Sequence, residues 1–157
     1  MAKIEVLTPD FKGDRAALQT VLDARPDTFN HNMESVERLY SRVRPQAGYR
    51  QSLDVLKHAR LHAPEVLTKS GFMVGLGERA DEVERLLEDL RRAEVDVVTI
   101  GQYLQPTRKH LPVEEYVHPD LFDRYREIGE RMGFRAVFSG PLVRSSFMAE
   151  MVHEQAK

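Results

Sequence analysis

The sequence predicts an α/β protein with parallel strands, because three of its features agree. Short runs of β-type residues alternate with segments whose apolar residues recur at helical spacing. Most connections between these segments are short, and 157 residues amount to about one domain. Repeated β-α-β units imply right-handed crossovers between parallel strands, so the expected architecture is an α/β sheet or part of a βα (TIM-like) barrel.

The first half of the chain contains two predicted strands and three predicted helices. The strands cover residues 4–7 and 28–32, and the helices cover residues 14–24, 34–43 and 50–63. Leu18 and Leu22 fall on one face of the first helix. Pro45 and Pro64 end the second and third helices, since proline has no N–H to continue the hydrogen-bond ladder.

The second half continues the alternation. Strands are predicted within residues 68–76, 95–100 and 134–138, and helices from Asp81 as N-cap and over residues 120–132. Residues 104–119 form a long connection with three prolines, and ordered loops of this length are often functional. The chain therefore divides into a barrel-like part, residues 1–139, and a C-terminal tail, residues 140–157.

Composition excludes several classes of function. There is no cysteine, so neither a disulfide nor a thiolate metal site can form within this sequence. A net charge of −2 gives no general attraction to nucleic acid or to anionic membranes. No apolar run approaches the roughly 20 residues that span a bilayer. We expect no nucleic-acid or membrane partner and a cytoplasmic location.

Polar residues and glycines follow the predicted strands, where parallel α/β folds bind ligands. They are Asn30, His31, Asn32 and Glu34 after the second strand, Gly75, Gly77 and Glu78 after the third, and Gln102, Tyr103 and Gln105 after the fourth. These residues either converge on one site or close βα turns, which asparagine and glycine also favour. Similarly, Arg108, Lys109 and His110 form either a solvated loop or a contact for an acidic partner.

Several ordered motifs resemble those of the C-terminal half of the lipoyl synthase family, which belongs to the radical S-adenosylmethionine (SAM) enzymes. They are EVLTPDF at residues 5–11, FNHNME at 29–34, YSRVRP at 40–45, TKSGFMVGLGE at 68–78, TIGQYLQP at 99–106 and RSS at 144–146. The resemblance implies a six-unit partial barrel, of which this chain supplies about the last four units and the tail.

The resemblance also implies cofactors and site residues. Family members bind SAM and two [4Fe–4S] clusters. The clusters are held by cysteine triplets, which are absent here. A serine of the closing motif ligates the auxiliary cluster, which donates sulfur. That serine corresponds to Ser146, the implied metal ligand, although Phe147 replaces the tyrosine that follows it in the family. Arg144 orients the cluster or the substrate carbonyl, or forms a structural salt bridge.

By the same analogy, three groups of residues contact SAM. Asn30, Asn32 and Glu34 hold its ribose or amino-acid end, Gly75, Gly77 and Glu78 pass close to it, and Gln102, Tyr103 and Gln105 flank its adenine. The implied reaction inserts sulfur at C6 and C8 of an octanoyl chain on a lysine of a lipoyl carrier domain. The carrier belongs to a 2-oxoacid dehydrogenase acyltransferase or to the glycine cleavage system, in the cytoplasm or, in a eukaryote, the mitochondrial matrix.

Three interpretations remain open at this point. The chain is the C-terminal portion of a lipoyl synthase, one subunit of a split enzyme completed by a cysteine-bearing N-terminal half, or a non-catalytic remnant that binds SAM or an octanoylated carrier domain. A fragment is expected to present an unpaired, apolar edge at its first strand.

Overall fold

The computed structural model describes residues 2–146 and 149–151. Five parallel strands form one sheet, in which spatial order follows chain order. They are β1 (Glu5–Leu7), β2 (Thr28–Asn30), β3 (Leu67–Val74), β4 (Val97–Gln102) and β5 (Ala136–Ser139). Right-handed crossovers between sequential parallel neighbours place the connecting helices on one face of the sheet. The predicted α/β partial barrel is therefore confirmed.

The helices that cover this face have clear start and stop signals. They are α1 (Arg15–Asp23), α2 (Tyr40–Val43), α3 (Tyr49–His62), α4 (Ala80–Arg92) and α5 (Pro119–Met132), with 3₁₀ turns at Phe11–Gly13 and Glu37–Leu39. The Asp14 carboxylate accepts hydrogen bonds from the first turn of α1. Gly133, in the left-handed conformation, ends α5. Of the helices in the described ranges, none is long and apolar enough to cross a membrane.

The predicted helix over residues 34–43 is wrong in its first half. Glu34 adopts a left-handed backbone conformation, with φ 69°, and forms an isolated parallel bridge with Phe72 of β3. The chain thus continues alongside the sheet past the end of β2, and helical structure begins only at residue 37. Pairing with β3 satisfies the backbone groups here, so the apolar spacing of the segment does not decide its structure.

The predicted N-cap at Asp81 is also wrong. Helix α4 already begins at Ala80, and Arg79 occupies the cap position. The Glu82 carboxylate accepts a hydrogen bond of 2.8 Å from the Arg79 amide, which satisfies an N–H that would otherwise lack a partner.

The main core lies between the sheet and the helices. Its fully buried members include Leu56, Leu86, Leu87, Leu90 and Ile100. On the opposite, helix-free face, Val97 and Ala136 form a small apolar cluster with the partly buried Leu67 and Phe138. Strand β1 lies at an edge of the sheet. Ile4, which precedes it, and Leu7, its last residue, are 61% and 59% exposed, an apolar edge as expected.

Candidate functional site

A buried polar cluster occupies the middle of the helix-free face. Lys69 on β3 extends across β2 to Glu5 on β1, and its Nζ lies 3.0 Å from each carboxylate oxygen. Asn30 on β2 donates a hydrogen bond of 2.9 Å to the same carboxylate. The predicted cofactor-binding Asn30 is only 1% exposed and does not line the cavity described next. Its observed contact is with Glu5.

Above this cluster, at the carboxyl ends of the strands, lies an open cavity of about 380 Å³, which we call the strand-end cavity. Residues within β1, β3 and β4, residues that follow β2 and β4, and the C-terminal tail line it: Leu7, Asn32, Glu34, Gly71, Phe72, Met73, Thr99, Gly101, Gln102, Leu104, Val143, Arg144 and Ser145. The structure therefore brings together Asn32, Glu34, Gln102 and Arg144 from the predicted set. This is the position where parallel α/β folds bind ligands.

Asn32, Gly71 and Thr99 form the floor of the strand-end cavity. A β-carbon on Gly71 would lie 2.5 Å from Thr99 Oγ1 and 3.0 Å from Asn32 Oδ1, so any larger residue would require these side chains to move. Asn32 Oδ1 is buried and has no hydrogen-bond partner among the described residues. An unpartnered buried acceptor is costly unless a ligand or water donates to it, so this atom is available to a donor in the cavity.

Glu34 contributes an acidic group to the lining of the cavity. Burial raises the pKa of its carboxyl above the ordinary value, although the nearby Arg44 guanidinium and the Asn32 amide favour the charged form. Arg44 is held in place by hydrogen bonds to the Asn32 carbonyl and the Tyr40 hydroxyl, each 3.1 Å long. The cavity thus presents this acidic group and the guanidinium of Arg144 in the tail.

The turn after β3, which contains Gly75 and Gly77, is stabilised by hydrogen bonds to the Glu78 carboxylate. Glu78 accepts hydrogen bonds from the amides of Gly75, at 2.6 Å, and Leu76, at 2.9 Å. Gly75 and Gly77 have φ of 103° and 98°, a region that disfavours residues with a β-carbon. The structure shows a turn-forming role for these three predicted residues, none of which lines the strand-end cavity. Their proposed proximity to a cofactor stays a prediction.

Gln102, Tyr103 and Gln105 hold the long connection after β4. The Gln102 amide accepts from Val117 N and donates to the Tyr103 and Glu115 carbonyls, each at 2.9 Å. The Tyr103 hydroxyl donates to the Leu111 carbonyl, and the Gln105 amide to the His110 carbonyl. Only Gln102 of the three lines the strand-end cavity. Their role toward adenine stays a prediction.

The C-terminal tail closes one side of the cavity. Val143 passes over β4 so closely that its carbonyl oxygen would overlap a β-carbon at Gly101. Arg144 donates to the Val143 carbonyl at 2.8 Å and forms no ion pair with a described residue. Ser145 lines the cavity, whereas Ser146 is exposed and lies next to it along the chain. Phe147 of the closing motif lies outside the described residues, so the ligand assignment stays a prediction.

Sequence reasoning did not identify Gly71, Thr99, Gly101 and Val143 as site residues. Glycines inside a buried strand often mark a close approach of backbone or ligand, and that signal was present for Gly71 and Gly101. Val143 carries no local signal, because its place in the site depends on where the tail crosses the sheet.

Comparison of the sequence with known proteins identifies a family and several relatives. The family model of the radical SAM superfamily matches residues 1–101. A lipoyl synthase of Rubrobacter xylanophilus is 61% identical over 154 residues, which cover 98% of this chain and 47% of the relative. The lipoyl synthase of Caldicellulosiruptor bescii is 57% identical, covering 94% of this chain and 51% of the relative.

A third relative also matches nearly all of this chain over about half of its own length. The lipoyl synthase of Thermus thermophilus is 53% identical over 154 residues, which cover 98% of this chain and 48% of the relative. The chain thus spans about half the length of the curated relatives it matches. The resemblance inferred from the motifs is confirmed.

Proposed function

Because this chain belongs to the radical SAM superfamily, and matches lipoyl synthases over nearly all of its own length, we propose that it supplies the C-terminal part of a lipoyl synthase. That enzyme replaces the C–H bonds at C6 and C8 of a lysine-bound octanoyl group with C–S bonds. The observation that carries the proposal is 61% identity over 98% of the chain. The bacterial relatives support a cytoplasmic location. No observation favours the alternative of a non-catalytic remnant.

The strand-end cavity has features that fit SAM. Asn32 Oδ1 is available to accept a hydrogen bond from a ribose hydroxyl or an ammonium group. Glu34 and Arg144 offer groups of opposite charge for a ligand that carries both an ammonium and a carboxylate.

SAM supplies the radical chemistry that removes hydrogen from unreactive carbons, and the protein supplies placement. In our proposal, Asn32, Glu34 and Arg144 orient the bound cofactor, and Met73 and Leu104 provide apolar surface beside it. The tail over Gly101 reduces the access of water to this side of the cavity.

An iron–sulfur cluster does not fit the donor set of this chain. The sequence has no cysteine, and the described residues contain no group of three His, Asp or Glu side chains that could hold a metal ion. Ser146 would contribute one oxygen ligand at most, whereas clusters are held mainly by thiolates. We therefore propose that cysteines outside this sequence, on the same polypeptide or on a partner chain, bind both clusters.

The test uses a chimera in which this whole chain replaces the matching half of the Rubrobacter xylanophilus lipoyl synthase. We expect it to convert an octanoyl-lysine tripeptide into the dithiolated product, detected by mass spectrometry. An Asn32→Ala variant should bind radiolabelled SAM at least about tenfold more weakly in equilibrium dialysis, because a buried hydrogen bond is lost. The exposed amide variant Gln46→Ala is the control and should bind normally. A chimera that folds but makes no product would refute the proposal.

The ligand role of Ser146 needs a separate experiment. In the chimera, Ser146→Ala should abolish dithiolation, because alanine has no oxygen that could bind iron. Ser145→Ala is the matched control and should have a milder effect. Unchanged activity of Ser146→Ala would reject the ligand assignment without affecting the rest of the proposal.

A further inference from the structure

A second opening, which we call the side cavity, lies next to the strand-end cavity. Its volume is about 420 Å³, and Glu34 and Met73 line both cavities. Its inner surface is largely apolar, formed by Met73, Leu76, Tyr103 and Leu111. Leu76 and Tyr103 are 3% and 8% exposed, so this surface belongs to the packed structure. The two cavities are therefore adjacent, with Glu34 and Met73 between them.

Basic side chains surround the mouth of the side cavity. Arg42, Lys109 and His110 line it, and Arg108 is exposed beside them. In the described part of the chain, no carboxylate forms an ion pair with Arg108 or Lys109, whereas Arg42 lies 4.0 Å from Glu114. The whole chain carries a net charge of −2, so this positive region is a local concentration of charge. We call it the basic rim.

The basic rim is held in position by the residues that follow β4. Tyr103 donates a hydrogen bond of 2.8 Å to the Leu111 carbonyl, and Gln105 donates one of 2.9 Å to the His110 carbonyl. Thr107 Oγ1 accepts from the Lys109 amide at 3.2 Å. The loop that carries Lys109 is therefore ordered by specific contacts. As a result, the loop loses less conformational entropy when a partner binds.

A largely apolar cavity edged by basic side chains and adjacent to the strand-end cavity matches one kind of substrate, a long apolar arm on a negatively charged protein. We propose that the octanoyl-lysyl arm enters through the side cavity, while the basic rim binds carboxylates beside the modified lysine of the carrier domain. This inference rests on the proposed function and names the docking surface for its substrate. Opposite charges at such a surface speed association and fix the orientation of the partner.

The test measures binding of an octanoylated carrier domain to the chimera by titration calorimetry, at low and high salt. Lys109→Glu should raise the dissociation constant about fivefold or more at low salt, with a smaller effect at high salt, because screening weakens exposed charges. Lys57→Glu, the same change at an exposed position on α3 outside both cavities, should have little effect. Changing the carboxylates beside the target lysine to amides should weaken binding to the unsubstituted protein but not to Lys109→Glu.

Equal affinities for the unsubstituted and Lys109→Glu proteins would overturn the inference, as would equal losses for Lys57→Glu. KM for the uncharged octanoyl-lysine tripeptide separates this inference from the proposed function. With an acetylated and an amidated end, the tripeptide has no carboxylate for the basic rim, so Lys109→Glu should raise its KM by a smaller factor than it raises the dissociation constant of the carrier domain. Failure to dithiolate the tripeptide would refute the proposed function, while the binding measurement would still decide whether the carrier domain docks here.

Discussion

Lys69 and Glu5 form an ion pair across two strands, with Lys69 Nζ 3.0 Å from both carboxylate oxygens and the Lys69 side chain fully buried. Removing one charge leaves the other without its partner in a region of low dielectric constant. We expect Glu5→Gln to lower the free energy of unfolding by about 3 kcal/mol, measured by urea denaturation followed by circular dichroism.

Arg85→Gln provides the control for this prediction. Its ion pair with Asp81 joins side chains that are 72% and 51% exposed. Its loss should cost less than about 1 kcal/mol, because water screens exposed charges. Similar losses for Glu5→Gln and Arg85→Gln would show that the buried pair contributes no more than a surface pair.

A β-carbon at position 101 should displace the tail. In Gly101→Ala, the new methyl group would overlap the Val143 carbonyl, so the backbone must move. We expect faster hydrogen exchange in residues 140–146, measured by mass spectrometry. Gly140→Ala is the matched control, because its β-carbon would lie 3.5 Å from Val143 Cγ2, an ordinary contact. Unchanged exchange in Gly101→Ala would mean that the tail does not lie against β4.

The Gln102 amide should determine whether the connection after β4 is ordered. Gln102→Leu keeps a side chain of similar size but removes the amide, which leaves Val117 N and the Glu115 carbonyl without their partner. We expect a loss of stability of about 3 kcal/mol and faster trypsin cleavage after Arg108 and Lys109. Gln46→Leu, at an exposed position, should be cleaved at the normal rate. Equal cleavage rates would contradict the anchoring role of Gln102.

Glu82 should make stability depend on pH in the acidic range. Hydrogen bonds from Arg38, the shorter of them 2.6 Å, lower the pKa of this carboxyl to about 2 in the folded protein, from 4.5. A group with a lowered folded pKa stabilises the protein above its unfolded pKa. That contribution should disappear as pH falls from about 4.5 to about 2.

The measurement is the free energy of unfolding as a function of pH. Glu82→Gln should lower stability at neutral pH and flatten its decline between about pH 4.5 and 2. Glu88→Gln, an exposed change on the same helix, should keep the decline of the unsubstituted protein. A Glu82→Gln profile parallel to that of the unsubstituted protein would reject the assignment.

The sequence predicted the helices and strands whose apolar residues follow a regular pattern along the chain. Helices α3, α4 and α5 have apolar residues at regular helical spacing, and strands β2, β3 and β4 are largely buried runs between turn signals. Prediction failed for residues 34–36, where pairing between Glu34 and Phe72 outweighs the apolar spacing. It also failed at the N-terminus of α4, because Asp81 has the right residue type for a cap but Glu82 supplies the carboxylate that the structure uses.

The sequence by itself determined the α/β class, the family and the absence of cysteine ligands, since each is carried by residue types in a fixed order along the chain. The tertiary structure decided which residues share a cavity. It separated Asn32, which lines the strand-end cavity, from Asn30, whose amide donates a hydrogen bond to Glu5 beneath it. It also brought Val143 against Gly101. These relationships depend on contacts between residues distant in sequence, which local pattern does not encode.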